Sequence, residues 1–216
     1  MPETKEQLQQ RARDIISILK QTYPDATCTL DFVTPHQLLV AAILAAQCTD
    51  EKVNQVTPDL FVRYPSVQAF ATAREDEMQE MIKPTGFFRQ KSRSIIESAQ
   101  DIVNSYGGEI PGTMEDLLTL RGVGRKTANL LLGVVFGKPA IIVDTHVKRV
   151  SNRLGLTTQE DPTKIEFDLR EVLDEEDWTK YNHLIVAHGR AICKAPKPLC
   201  SICPVLRLCP YGQKTV

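Results

Sequence analysis

Four of the six cysteines crowd into seventeen residues, Cys193-x6-Cys200-x2-Cys203-x5-Cys209, so the fold must close that stretch into one small loop. Four thiolates this near in sequence can surround one metal centre. Zinc sites usually pair two short knuckles. Here only Cys200–Cys203 is short and the outer gaps are longer, which suits a four-cysteine 4Fe–4S cluster better, although the spacing follows neither common ferredoxin pattern. Zinc is the alternative, and disulfides come after it. The stretch from Glu3 to Glu6 is charged, and no apolar run of signal-peptide length follows it. An intracellular, cytoplasmic protein is therefore expected, and clustered thiols in that setting favour metal. Cys28 and Cys48 stand apart and read as buried thiols, not ligands.

Elsewhere the pattern is helical almost throughout, and the expected fold class is all-α. Leu8, Ala12, Ile15, Ile16 and Leu19 recur at helical spacing, which predicts an amphipathic helix over Lys5–Gln21. Thr34-Pro35-His36-Gln37 offers a Thr cap, Pro at the first helical position and a capping-box Gln. The helix it opens, Pro35 to about Gln47, is apolar nearly all round and should be buried. Thr49-Asp50 caps the next, which Pro58 should bend or delay and Pro65 ends. Further helices are expected at Arg74–Ile82, Arg89–Ser105, Thr113–Leu120, Gly124–Phe136, Thr145–Arg153, Pro162–Leu173 and Thr179–Ile192. Ala140–Val143 has no strand partner and reads as an extended connector. Leu38–Ala46, the most apolar segment, is too short to span a bilayer.

Net charge is −1, yet the charges are segregated. Lys83–Arg93 holds four bases and no acid, Arg121–Arg153 seven bases and one acid, and Trp178–Val216 six bases and no acid. Nine acids against two bases crowd Glu160–Asp177. A polyanion feels the local field rather than the total. Solvated helix faces explain any one basic run; three of them suggest a shared basic face.

Between two expected helices lies Leu120-Arg121-Gly122-Val123-Gly124-Arg125-Lys126-Thr127-Ala128. Two glycines one residue apart would allow positive φ at no steric cost. The helix that follows would begin with free N–H groups able to hold a phosphate without reading sequence. An ordinary tight turn is the competing reading. Lys126 sits in that helix's first turn, where the dipole prefers anions. A lysine there is a candidate nucleophile, against a plain surface lysine or phosphate clamp. Asp144 follows the apolar connector Ile141–Val143 and precedes a helix, so it is an N-cap candidate. A capped carboxylate stays ionised, and such a charge can stabilise a sugar cation.

Taken together and in order, Leu44-Ala45-Ala46-Gln47-Cys48-Thr49-Asp50, Leu120–Ala128, Val143–Val147 and the cysteine loop resemble the endonuclease III family of helix-hairpin-helix DNA glycosylases. The resemblance runs from about Leu30 to Cys209. It implies two all-α lobes. One is a six-helix barrel over about 28–138, with the hairpin at about 113–136. The other joins 1–27 to 139–216 and carries a 4Fe–4S cluster in the loop 193–209. Double-stranded DNA with damaged bases or abasic sites would lie between them, with Lys126 and Asp144 facing each other. By the same resemblance, Lys126 attacks the sugar C1′ of an oxidised pyrimidine nucleotide, and β-elimination through a Schiff base nicks the strand. Asp144 stabilises the sugar charge and helps activate the nucleophile.

Gly122, Gly124, Arg125 and Thr127 would hold the DNA backbone. Gln47 would fill the hole left by the flipped base, against a plain helix-end residue. Phe87 falls at the opposite-strand wedge, where the family often has an aliphatic residue; the alternative is a core aromatic. His146 would touch the DNA backbone or serve structure alone. Lys194, Lys197 and Arg207 would charge the outside of the cysteine loop. A monomer acting at the nucleoid, without a membrane, is expected. Three rivals share some of these features: a mismatch glycosylase that does not nick, a DNA-binding module with a structural metal, and a redox carrier. The mismatch enzymes typically lack a lysine at position 126.

Overall fold

The computed structural model describes residues 3–215. In chain order its helices are α1 (Lys5–Thr22), α2 (Pro35–Leu44), α3 (Asp50–Arg63), α4 (Val67–Ala71), α5 (Glu75–Ile82), α6 (Phe88–Ser105), α7 (Met114–Leu117), α8 (Arg125–Val134), α9 (Thr145–Arg153), α10 (Pro162–Val172), α11 (Trp178–Ala191) and α12 (Pro210–Gln213). No strand occurs among the described residues, and no helix there is long and apolar enough to cross a membrane. The chain divides into two compact units, Cys28–Gly137 and Met1–Thr27 with Lys138–Val216.

In Cys28–Gly137, α2 is the apolar centre. Leu38, Leu39, Val40, Ala41, Ile43 and Leu44 are all buried, as expected of a helix with no polar face. Thr34 and Gln37 form its capping box, and Pro35 opens it. It stops at Leu44, short of the expected Gln47, because Ala45 and Ala46 turn the chain and Gln47 takes φ +54°. Helix α3 runs unbroken through Pro58; the proline is exposed, on the flank where a freed carbonyl can meet water. Helix α4 is not among the expected elements, since five residues carry no period. Ser66 caps it, and the Phe70 ring buries against Tyr64 at 5.2 Å between centroids. Helix α6 turns Ile95, Ser98, Ala99 and Ile102 inward, and Ser98 Oγ donates to Ile95 O of the same helix at 3.0 Å.

Helix α6 also corrects the charge reading. Lys91, counted above among the polyanion-facing bases, is 4% exposed and donates to Leu44 O at 2.8 Å and Thr85 O at 2.7 Å. Cys28 and Cys48 are half-buried instead of buried.

In the other unit, Ala12, Ile15, Ile16 and Leu19 of α1 form one core with Val147 and Val150 of α9, Ile165 and Leu169 of α10, and Tyr181, Leu184 and Ile185 of α11. Arg11 fastens both ends of the chain, donating to Leu154 O at 2.6 Å and Leu208 O at 3.0 Å. Ala140–Val143 is an extended, buried connector without strand pairing; Ile142 O instead accepts from Asn182 Nδ2 at 3.0 Å.

Candidate functional site

The hairpin joins α7 to α8. Gly122 has φ +78°, and a Cβ there would lie 2.7 Å from Ser94 Cβ, so the turn requires glycine. Gly124 differs from the expectation of paired positive-φ glycines. Its φ of −100° and ψ of 176° suit any residue, and a Cβ would meet nothing within 4 Å. Gly124 is the N-cap of α8 and has no side chain to cap it. The ladder starts with Ala128 N–H to Gly124 O at 3.0 Å. The amides of Arg125, Lys126 and Thr127 precede it at the positive end of the helix, where an anion is favoured.

Lys126 is exposed, and Arg125 and Thr127 are half-buried. No hydrogen bond or ion pair joins the Lys126 ammonium to another described residue. The desolvated surroundings that a nucleophilic amine needs are therefore not built by the protein alone.

Two further residues project from the same unit. Gln47 (φ +54°) and Phe87 (φ +47°) both adopt the left-handed conformation, which costs a non-glycine residue about 1–2 kcal/mol. Gln47 is exposed, and Phe87 is 60% exposed at the N-cap of α6. The core-aromatic reading of Phe87 is thereby excluded. Strained backbone beneath an exposed aromatic points to a surface that meets something.

Asp144, His146 and the four cysteines belong to the second unit. Asp144 is half-buried and caps α9, accepting from Val147 N–H at 2.7 Å. His146 Nδ1 lies 3.2 Å from Arg149 Nη2 and packs over Gly189, where a Cβ would come within 2.6 Å of the ring. Arg149 in turn donates to Gly189 O and Cys193 O. The imidazole thus belongs to the framework that leads from α9 to the cysteine loop.

Cys193, Cys200, Cys203 and Cys209 line one small pocket of about 20 Å³, with Arg153, His188, Val205, Leu206 and Tyr211 among its walls. All four are free thiols. Among the described residues no three Cys, His, Asp or Glu groups converge closely enough for a single metal ion. Donors point at the sulfurs: Arg153 Nη1 to Cys193 Sγ at 3.4 Å and Gly212 N–H to Cys209 Sγ at 3.3 Å, with His188 Nε2 3.7 Å from Cys203 Sγ. Burial, reinforced by the neighbouring cysteines, pushes the Cys203 thiol up to about 11. Crowded sulfurs such as these deprotonate together only with cationic compensation. Lys194, Lys197 and Arg207 are exposed on the loop.

Sequence reasoning missed Lys91, Arg153 and His188. The first had a signal: Lys91 stands four, seven and eleven residues from Ile95, Ser98 and Ile102, on the buried face of α6. Arg153 lies forty residues before Cys193, and nothing in the cysteine spacing points to it; His188 stands near the end of α11, close before Cys193, but the spacing of the cysteines alone does not mark it.

The profile of the HhH-GPD superfamily of base excision DNA repair proteins matches residues 40–175. The endonuclease III of Synechocystis sp. is 54% identical over 205 residues, covering 94% of both chains. A solved non-covalent endonuclease III–DNA complex matches with a TM-score of 0.91 at 38% identity, covering 96% of this chain and 97% of that one. A trapped covalent endonuclease III–DNA intermediate with an estranged adenine matches at 0.90 and 39% identity, covering 96% and 98%.

Proposed function

This chain belongs to the endonuclease III family of the HhH-GPD superfamily, the DNA glycosylases and abasic-site lyases of base-excision repair, and from that premise we propose that Lys126 is its nucleophile on oxidised pyrimidine nucleotides in duplex DNA. The observation that carries the assignment is the exposed, unpaired ammonium of Lys126 in the uncapped first turn of α8.

The neutral Lys126 amine attacks C1′ as the damaged base departs with the bonding electron pair and takes up the proton the amine gives up. The C1′–O4′ bond of the resulting hemiaminal ether then breaks, O4′ becoming a hydroxyl and the nitrogen a protonated imine. Loss of a C2′ proton then expels the 3′ phosphate, which is the β-elimination, and water releases the sugar from the lysine. Substrate closing over the exposed amine supplies the desolvation that the free protein lacks. Asp144 stabilises the positive charge that develops on the sugar, and its bond from Val147 N–H fixes the carboxylate's orientation.

The backbone amides of Arg125, Lys126 and Thr127 take one phosphate, and Gly124, lacking a Cβ, lets it approach. Flipping the damaged base costs a few kcal/mol; Gln47 fills the space it vacates, and Phe87 wedges into the opposite strand. His146 acts through Arg149, as framework.

The two units correspond to a helix-hairpin-helix lobe, Cys28–Gly137, and a cluster lobe formed by the remainder. Four cysteines outside any disulfide around one pocket, three of them with nitrogen groups close to their sulfurs, suit a 4Fe–4S group held by Cys193, Cys200, Cys203 and Cys209. Bound there, the group supplies a covalent staple for the loop, whose exposed Lys194, Lys197 and Arg207 then face DNA phosphates. The purified protein should be brown; a colourless, zinc-containing preparation contradicts the cluster assignment. The site of action is the cytoplasm, at the nucleoid.

Strand cleavage of a thymine-glycol duplex beside an abasic duplex tests the function. Wild type should cut both and Lys126→Ala neither. Base release without nicking by the wild type would favour the mismatch-glycosylase type.

A further inference from the structure

Gln47 and Phe87 lie in different loops, forty residues apart, yet one buried side chain holds the roots of both. The Lys91 ammonium donates to Leu44 O, the last carbonyl of α2, and to Thr85 O, which closes the 3-10 turn Lys83–Thr85. Neither carbonyl has another role. The Cys48 N–H, the natural partner for Leu44 O, goes to Ala45 O at 3.2 Å, and Gly86 N–H turns back to Lys83 O. Gln47 follows the first anchor by three residues, and Phe87 follows the second by two. Both then enter the left-handed region and point their side chains outward. The Lys91 backbone completes the grip, since its N–H donates to Phe87 O at 3.0 Å.

No carboxylate pairs with this ammonium among the described residues. A hydroxyl, with its single donor, could cap one carbonyl at less desolvation cost. Only a long side chain with several donors can cap two carbonyls from different loops at one point. Helix α2 also favours a cation at its C-terminus.

We propose that Lys91 is a positioning residue that clamps the Gln47 and Phe87 loops to each other, so that the two side chains enter a DNA duplex as one fixed pair. This rests on the glycosylase reading above. Lys91 touches neither substrate nor reacting atoms. Its contribution is greatest where the duplex must be opened and least where it is already open.

Two thymine-glycol substrates separate that role from simple fold maintenance. One carries the lesion in a fully paired duplex; the other places it in a mismatched bubble, where unstacking has been done in advance. Lys91→Met keeps the stem and removes the donors. It should cut the paired substrate about tenfold more slowly than wild type and the bubble within about twofold of wild type, as expected when only the opening step is impaired. A 2-aminopurine beside the lesion should brighten less with the variant than with wild type. In a Gln47→Ala, Phe87→Ala background, adding Lys91→Met should cost nothing further on the paired duplex. Lys91→Gln, which keeps one donor route, should show the same duplex-selective loss to a smaller degree and covers the case in which Lys91→Met does not fold. Equal slowing on both substrates, an undiminished effect in the double-alanine background, or failure of both variants to fold would each overturn the clamp. Absence of wild-type cutting on both substrates would instead mark failure of the glycosylase reading.

Discussion

Helices α8 and α9 begin in opposite ways. Helix α8 opens on Gly124, with no side chain to cap it, and continues with Arg125 and Lys126; α9 opens on Asp144, whose carboxylate takes the Val147 N–H at 2.7 Å. The first start leaves donors and a positive dipole end to whatever approaches. The second consumes a donor to fix a negative charge. Intrinsic helix stability favours the second arrangement by roughly a few tenths of a kcal/mol, since glycine is a tolerated N-cap. The uncapped start is therefore a local cost, and the exposed Lys126 beside it is where that cost is recovered on binding.

Removing the cation of α8 should break this contrast most severely. Lys126→Ala should lose nicking by on the order of 10³-fold or more, as expected for a nucleophile. Its thermal stability should stay within about 0.5 kcal/mol of wild type, because the side chain is exposed and unpaired. Parallel cleavage assays and melts check both.

At α9, charge and cap can be separated. Asparagine caps as well as aspartate, so Asp144→Asn should melt like wild type while cutting roughly 10²-fold more slowly, the scale of one lost electrostatic stabiliser. Asp144→Ala should show that loss together with about 1 kcal/mol of stability. Equal activity of Asp144→Asn and wild type would reduce the residue to a cap.

The two hairpin glycines should diverge. Gly122→Ala meets Ser94 at 2.7 Å in a left-handed backbone and should destabilise by about 1–3 kcal/mol. Gly124→Ala has open space and an ordinary φ, so it should lose only about 0.5–1 kcal/mol, the difference between glycine and alanine at an N-cap. Its affinity for undamaged duplex should still fall several-fold, and binding isotherms at several salt concentrations would reveal it. Unchanged affinity would mean that no phosphate approaches this turn.

The same contrast explains what the sequence could reveal. Asp144 announced itself because an N-cap is a local motif: an apolar run, an acid, then helical period. Helix α9 accordingly begins and ends where expected. Gly122 and Gly124 are one residue type in one motif, and only Ser94, from α6, makes the first obligatory and leaves the second free. Lys91 was read as a surface charge because a count of bases ignores the face on which each falls. The exposure of Phe87 depends on the turn at Gly86, φ +69°, and on its own left-handed φ of +47°, neither of which a periodic pattern encodes. Cysteine spacing located the cavity but not Arg153 or His188, which reach it from α9 and α11. Features set within one turn of helix were legible; those set by contact between distant segments were not.

The account depends most on the amine at the uncapped start of α8, and reductive trapping addresses it directly. Wild-type protein incubated with an abasic duplex and borohydride should yield a covalent protein–DNA adduct that peptide mapping places on Lys126, and Lys126→Ala should yield none. An adduct on another side chain, or equal trapping by Lys126→Ala, would contradict the assignment.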